Sequence, residues 1–279
     1  MELSSQEEWS WLVAIDLFLG GLGGGLFLLF QNLDLPPVTG LLSLGLVILG
    51  GLVLLAELGH PLRAWRALAR PQTSWISRGM ISVFVFIIAG LLYIAPSFSV
   101  FSWLPWSPTS SGGRALGVVA GICAFLVTLY PGFVLSASPS IPFWNSPLLP
   151  VLFFSQSLLG ASGLVLLLSP FGFDGQALQG FFSLAALLIV ANFILMTIHL
   201  WTLKRSGLAA REAVSLFNRG SFGWTFRAGV VLIGMILPFI VVVWVPSAVV
   251  LAGAFILVGS LLFRYCVLKA GVYVPFALI

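Results

Sequence analysis

Long apolar runs, separated by short polar, Pro-rich or Gly-rich segments, dominate the pattern of this chain. Each run is continuous over about 20 residues, the length that an α-helix needs to cross the hydrocarbon core of a bilayer. The runs cover residues 11–30, 38–58, 76–95, 116–136, 148–168, 178–201, 224–244 and 248–268. Because apolar positions are continuous rather than alternating, the pattern excludes a membrane β-barrel and predicts an all-α, polytopic membrane protein with eight transmembrane helices.

The composition agrees with this pattern and excludes other classes of protein. Of the 279 residues, 60% are hydrophobic and 7% are charged, whereas soluble domains carry about 25% charged residues. The net charge of +4 is spread along an apolar chain and forms no basic patch for nucleic acid. Cys123 and Cys266 stand alone in apolar runs, so they predict neither a metal cluster nor an iron–sulfur centre. We therefore expect no metal in this chain and no nucleic-acid partner.

The basic residues lie almost entirely on one side of the predicted helices. An even number of spans places both termini on the side that also holds the connections after spans two, four and six. The positive-inside rule makes this side cytoplasmic and the protein a multi-pass protein of the inner (cytoplasmic) membrane, although a basic surface equally suits the docking of a partner subunit. The eleven basic residues of this side, against Arg114 alone on the other, are Arg63, Arg66, Arg70, Arg78, Lys204, Arg205, Arg211, Arg219, Arg227, Arg264 and Lys269.

Several ionisable or polar side chains fall inside the apolar runs or at their ends, where burial is costly and a functional role is common. Asp16 lies inside the first run, and Glu57 and His60 end the second. Because successive spans alternate in direction, these three residues and four others are predicted at one side of the membrane. The full set is Asp16, Glu57, His60, Arg78, Tyr130, His199 and Arg227.

Structural explanations compete with functional ones at each position. Glu57 and His60 have an i, i+3 spacing and can satisfy each other or Arg78, and Tyr130 can serve as an interfacial aromatic residue. An isolated carboxylate such as Asp16 in an apolar helix is harder to explain structurally. Five glycines at positions 20, 21, 23, 24 and 25 follow it. They permit close helix packing, and they also leave a slot beside the carboxylate for a flat ligand; both interpretations stay open.

These residue types suit a lipid-soluble quinone better than a metal cofactor. His60 and His199 supply too few axial ligands for the two haems of a cytochrome b, although one haem between them is geometrically possible. A quinone needs hydrogen-bond donors at its carbonyls and a base for its protons, and Tyr130, His60, Asp16 and Glu57 supply these groups. A secondary transporter or a proton-conducting membrane protein is the alternative, because a buried carboxylate in eight helices without a cofactor motif suits it as well.

Four segments resemble the NrfD/PsrC family, the membrane subunits of polysulfide-reductase-type and related molybdoenzyme complexes. The glycine-rich first run adds to the resemblance, which covers essentially the whole chain. The segments are residues 57–66 (Glu-Leu-Gly-His-Pro-Leu-Arg-Ala-Trp-Arg), 74–79 (Ser-Trp-Ile-Ser-Arg-Gly), 130–136 (Tyr-Pro-Gly-Phe-Val-Leu-Ser) and 141–150 (Ile-Pro-Phe-Trp-Asn-Ser-Pro-Leu-Leu-Pro).

The resemblance implies two four-helix bundles without haem, here residues 1–136, with the quinone site, and residues 137–279. It implies a bound menaquinone or other quinone, an iron–sulfur subunit docked on the Arg-rich side and a molybdopterin catalytic subunit beyond it. The implied function is that of a membrane anchor and quinol-binding subunit of a respiratory oxidoreductase, not catalytic alone.

The resemblance also assigns roles to single residues. Tyr130 matches the family's quinone-ligating tyrosine and Glu57 its proton-route acid. His60 belongs to the Glu-Leu-Gly-His-Pro motif, and Asp16 falls among the polar residues that the family places at the quinone. We therefore predict that Asp16 and Glu57 exchange protons and that Tyr130, His60, Asp16 and Arg78 bind the quinone.

Overall fold

A computed structural model of the protein describes residues 4–6, 9–33, 35–58, 61–171, 175–217 and 220–273. These residues form helices almost throughout, with one short antiparallel pairing of Ser4–Ser5 and Val272–Tyr273. The α-helices are α1 (Trp11–Asn32), α2 (Pro37–Glu57), α3 (Trp75–Ile94), α4 (Ser111–Ser136), α5 (Leu148–Leu167), α6 (Gly175–Lys204), α7 (Leu208–Leu216), α8 (Gly220–Trp224), α9 (Leu237–Trp244) and α10 (Val249–Lys269).

The described residues contain eight helical spans that are long and apolar enough to cross a membrane, by length and composition. This confirms the predicted all-α, eight-span architecture. Large apolar side chains point outward along the spans, as at Leu52 of α2, Ile88 of α3 and Leu187 of α6, each more than half exposed. A soluble protein rarely exposes apolar surface on this scale, whereas lipid chains cover it without cost.

Some helices begin or end at residues that differ from the predicted ones. The largest difference is at α4, which begins at Ser111 rather than at residue 116. Ser110 caps this helix, because its hydroxyl accepts a hydrogen bond from the backbone N–H of Gly113 at 3.1 Å. The connection after the sixth span, predicted as a plain break, contains the helix α7, whose alanines at positions 209, 210 and 213 are buried.

The seventh span is not a plain α-helix. A π-helical segment, Thr225–Ile236, joins α8 to α9 and packs along α10. Gly234 of this segment faces Gly259 of α10, and a Cβ on Gly234 would lie 2.6 Å from the Cα of Gly259. The two missing side chains therefore let the two backbones touch.

Helix α1 is central in the fold, since it packs against α2, α4, α5 and α10. A side chain on Gly21 would collide with α5 and α10, one on Gly23 with α2, one on Gly24 with α4, and one on Gly25 with α5. Packing thus explains four of the five glycines of this helix. A Cβ on Gly20, in contrast, would meet nothing within 4 Å.

The helices associate in two groups that share a boundary. Helices α1 and α4 pack on each other, as do α3 and α4, and the hairpin partner of α1 is α2. Helices α5, α6, α9 and α10 and the π-helical segment form the second group, and α5 also contacts α1 and α4. The division into residues 1–136 and 137–279 stays a prediction, since α1 also packs directly on α10.

Candidate functional site

Asp16 lies on α1 with 8% of its surface exposed. Gly50 of α2 lies against it, and a Cβ at that position would stand 3.2 Å from Asp16 Oδ1. Among the described residues the carboxylate has no hydrogen-bond partner. Gly20 follows one helical turn later on a similar face of α1, where a side chain would meet nothing within 4 Å. The turn that carries the carboxylate therefore borders open space.

Glu57 is the last residue of α2 and is half-buried. Its Oε2 atom is enclosed by protein and, within the part of the chain that the structure describes, has no hydrogen-bond donor. The carboxylate is close enough to Asp16 for the two acids to repel each other electrostatically. An enclosed carboxylate oxygen without a donor is costly for the fold, so these two acids are candidates for proton exchange.

Tyr130 lies on α4 directly before Pro131, and its ring packs on α3. The contact is with Gly79, where any side chain would overlap the ring. Asp16 interacts electrostatically with the phenol. Asp16 of α1 thus lies within electrostatic range of both Glu57 of α2 and Tyr130 of α4, and we call these three residues the acid–tyrosine cluster.

Arg78 bonds to the connection before α3 and not to the acid–tyrosine cluster. Its exposed guanidinium donates from Nε to the carbonyl of Pro71 at 2.8 Å and from Nη2 to the carbonyl of Gln72 at 2.6 Å. It also lies 4.5 Å from the centre of the Trp75 ring. Arg78 thereby holds the connection between α2 and α3 at the start of α3. His60 lies outside the described residues, so its contact with a quinone stays a prediction.

His199 lies in the second group of helices, on α6, and is 3% exposed. Its ring stands edge-on to Phe143 with ring centres 5.1 Å apart. Neither ring nitrogen has a hydrogen-bond partner in the described part of the chain. A haem between His60 and His199 would need a residue whose position is not described. In the same described part, no group of three or more His, Cys, Asp or Glu side chains is placed to hold a metal ion.

Most of the basic residues on the predicted docking side are exposed, and we call this set the Arg-rich face. Four of its arginines lie over tryptophan rings, a pairing typical of the water–membrane interface. Arg264 is buried, Lys269 is half-buried, and Arg219 lies outside the described residues. The exposed members are Arg63, Arg66, Arg70, Arg78, Lys204, Arg205, Arg211 and Arg227. The stacked pairs are Arg66–Trp65, Arg78–Trp75, Arg205–Trp201 and Arg227–Trp224.

A buried polar group that was not predicted from the sequence lies between α1, α5 and α10. Arg264 was expected at the membrane boundary, but it is 1% exposed and donates to the hydroxyl of Ser157 at 3.1 Å. Beside it, the hydroxyl of Ser260 donates to Gln156 Oε1 at 3.2 Å. The polar triplet of residues 155–157 in the middle of the fifth apolar run is the sequence feature that indicates this group.

The fold and the site define a polytopic α-helical membrane protein with two acids and a tyrosine gathered within its first four spans. The chain belongs to the family described as "Polysulphide reductase, NrfD", which matches residues 2–276. The family predicted from the sequence motifs is thereby confirmed.

The similarity to curated relatives also extends over most of the sequence. The protein is 28% identical to Protein NrfD of Escherichia coli over 94% of its own length and 94% of that relative. It is 26% identical to the C chain of polysulfide reductase from Wolinella succinogenes over 96% of its own length and 93% of that relative. It is 28% identical to the C subunit of sulfite dehydrogenase from Allochromatium vinosum over 58% of its own length and 51% of that relative.

Proposed function

We propose that this protein is the haem-free membrane anchor and quinone-binding subunit of a respiratory oxidoreductase complex, exchanging electrons between menaquinol, or a similar quinol, and an iron–sulfur partner. Family membership supports the anchor role, because two relatives are named as components of polysulfide reductase and sulfite dehydrogenase. The observation that carries the quinone site is the open space at Gly20, one helical turn from the buried carboxylate of Asp16.

The acid–tyrosine cluster fits a quinone head group. A bound quinol would supply two electrons and two protons. The hydroxyl of Tyr130 is suited to hydrogen-bond a head-group oxygen, since it has no partner among the described residues. In this proposal Asp16, inside α1, accepts a proton, and Glu57, at the end of α2, passes it toward water.

Extraction of quinone from the purified protein tests this function. We expect a stoichiometric amount of menaquinone or a similar quinone in the organic extract and no Soret absorption in the protein. An unrelated polytopic protein purified in the same detergent is the control for co-purified lipid. A transporter or proton channel has no reason to retain a quinone, so an empty extract would favour that class. A Soret band that is present in the wild type and disappears in His199→Ala would show that the protein binds a haem at His199, and it would contradict the haem-free proposal.

Tyr130→Phe should weaken quinone binding without unfolding the protein. The change removes the hydroxyl and keeps the ring that packs on Gly79, so it costs about one hydrogen bond, roughly 1 kcal/mol or about fivefold in Kd. Quinone titration of the purified variant measures the effect.

The matched control is Tyr93→Phe. Tyr93 is a tyrosine of α3 whose ring contacts Phe27 and Phe30. This variant should bind quinone like the wild type. An unchanged Kd in Tyr130→Phe would show that the hydroxyl does not bind the quinone.

We also propose that the Arg-rich face docks the iron–sulfur subunit, with a molybdopterin subunit beyond it, on the cytoplasmic side of the inner membrane. The exposure of these arginines supports docking, because exposed charges of one sign steer and align a complementary partner. The proximity of the acid–tyrosine cluster to the same side supports it as well, since electrons from a quinol there would have a short path to the partner.

Charge reversal of Arg63, Arg66 and Arg70 to Glu should release the iron–sulfur subunit. These three residues are exposed on the connection between α2 and α3, and rim charges govern association more than buried chemistry. Co-purification of the partner measures docking, and quinone affinity should be unchanged. Arg114→Glu, an exposed arginine at the start of α4 and so on the opposite side, is the matched control. Full retention of the partner by the triple variant would contradict docking through this connection.

A further inference from the structure

Arg264 of α10 joins three helices although it is 1% exposed. Its Nε donates to the backbone carbonyl of Leu17 on α1 at 2.9 Å, and its Nη2 donates to the hydroxyl of Ser157 on α5 at 3.1 Å. Its Nη1 donates to the carbonyl of Ser260 in α10 at 3.0 Å. Each nitrogen of the guanidinium therefore has an acceptor, and each acceptor is neutral.

Such a residue is expensive inside a membrane bundle. A buried cation costs more than an apolar side chain of the same length, and it persists in membrane helices mainly where it has a function. Packing alone does not require it, since a buried charged group can often be replaced by apolar side chains without loss of stability. The atoms that Arg264 binds therefore indicate its function.

Gly21 makes the contact with α1 possible. A Cβ at this position would lie 2.5 Å from Arg264 Nη2 and 2.5 Å from the hydroxyl oxygen of Ser157. Without a side chain at Gly21, the guanidinium reaches past this point to the carbonyl of Leu17, one turn earlier. The glycine of α1, the serine of α5 and the arginine of α10 thus form one interlock.

We infer that Arg264 is a positioning residue, which holds the turn of α1 that carries Asp16 and borders the open space at Gly20. Leu17 and Gly21 follow these two residues by one position each, so the interlock and the site share a turn but face different sides of the helix. The second group of helices thereby sets the orientation of a carboxylate in the first group. The effect of Arg264 on catalysis rests on the proposed function. Its effect on the Asp16 carboxyl group does not, and it can be tested separately.

Four variants separate this role from a general effect on stability. Arg264→Met removes all donors and keeps the length of the side chain, whereas Arg264→Lys keeps the charge but cannot reach three acceptors with one ammonium group. Gly21→Ala displaces the guanidinium without changing it, and Ser157→Ala removes one acceptor.

Ser162→Ala is the matched control for the serine variant. Ser157 and Ser162 are both buried in α5, and each donates to the carbonyl four residues earlier. Of the two serines, Ser157 accepts from Arg264.

The first readout is infrared spectroscopy at acid pH, which needs no quinone. The carboxyl stretching band that disappears in Asp16→Asn should shift in frequency in Arg264→Met, Arg264→Lys, Gly21→Ala and Ser157→Ala. It should stay unchanged in Ser162→Ala. An unshifted band in all four variants would overturn the inference, whether or not the protein binds quinone.

The second readout is quinol oxidation by the assembled complex, with quinone affinity measured in parallel. We expect Arg264→Met and Arg264→Lys to lower kcat by at least roughly tenfold, since small displacements of a reacting group are costly, while the Kd for quinone stays within about threefold. If neither arginine variant assembles, kcat and the quinone Kd are measured in Ser157→Ala and Gly21→Ala instead. Wild-type kcat in Arg264→Lys would show that only the charge matters, and it would overturn the positioning role. A wild-type protein that binds no quinone would overturn the proposed function instead, and the infrared test of Arg264 would still stand.

Discussion

Gly20→Leu should weaken quinone binding strongly while the protein stays folded. A Cβ at Gly20 meets nothing within 4 Å, and the position lies one turn from Asp16. The Cβ of a leucine therefore fits at this position, and we expect the rest of the side chain to extend into the proposed ligand space. We expect the Kd for quinone to rise by at least about a hundredfold, or about 2.7 kcal/mol. Quinone titration and thermal unfolding in detergent measure the two effects.

Gly45→Leu is the matched control for this change. Gly45 is an exposed glycine of α2, and a Cβ there also meets nothing within 4 Å. Both variants add the same side chain to a helical glycine with free space, so their effects on helix propensity are equal. A Gly20→Leu protein that binds quinone as tightly as the Gly45→Leu protein would place the ligand elsewhere in the molecule.

Asp16→Asn and Glu57→Gln should slow quinol oxidation far more than they weaken quinone binding. Each amide keeps the shape of the acid but cannot accept a proton, and loss of a positioned general base typically lowers rates by about 10²- to 10⁴-fold. The double variant should be little slower than the slower single variant if the two acids act in one proton route. Steady-state turnover of the assembled complex, with the quinone Kd measured beside it, checks these expectations.

Glu212→Gln tests whether any loss of acid on this membrane side has the same effect. Glu212 lies on α7, a helix that packs on α6, and accepts a hydrogen bond from the hydroxyl of Ser215 at 2.9 Å. Its turnover should equal that of the wild type. Normal turnover in both Asp16→Asn and Glu57→Gln would show that protons leave by another route.

The membrane architecture was predictable from the sequence, and so were the positions of Asp16 and Glu57 in the first two helices. Apolar runs of membrane length are a direct consequence of the solvent that surrounds the helices, so all eight spans appear in the sequence pattern. Asp16 was recognisable because a carboxylate stands out within an apolar run, and alternation of direction brought it to the same side as Glu57 and Tyr130. Both features follow from local composition and the order of the spans.

The features that depend on which helices become neighbours were not predictable in this way. Five glycines in α1 look alike in the sequence, and only the positions of α2, α4, α5 and α10 distinguish the open one, Gly20, from the four that are packed. Arg264 lies near the end of its span, where an arginine usually extends to the interface; its burial depends on Gly21 and Ser157 of distant helices. The π-helical segment Thr225–Ile236 follows from no apolar periodicity.

The interlock of Arg264, Gly21 and Ser157 also has a consequence for biosynthesis. Among the eight described spans, α10 leaves the ribosome last, whereas its partner α1 leaves first. Until α10 arrives, the Gly21 side of α1 has no partner there except α5, and the guanidinium can leave the aqueous interface only when the acceptors of both helices are already in place. We therefore expect insertion of Arg264 to be a late step that depends on correct assembly of the earlier spans. A nascent polypeptide stopped before α10 would have all of the acid–tyrosine cluster but not the contact that completes α1.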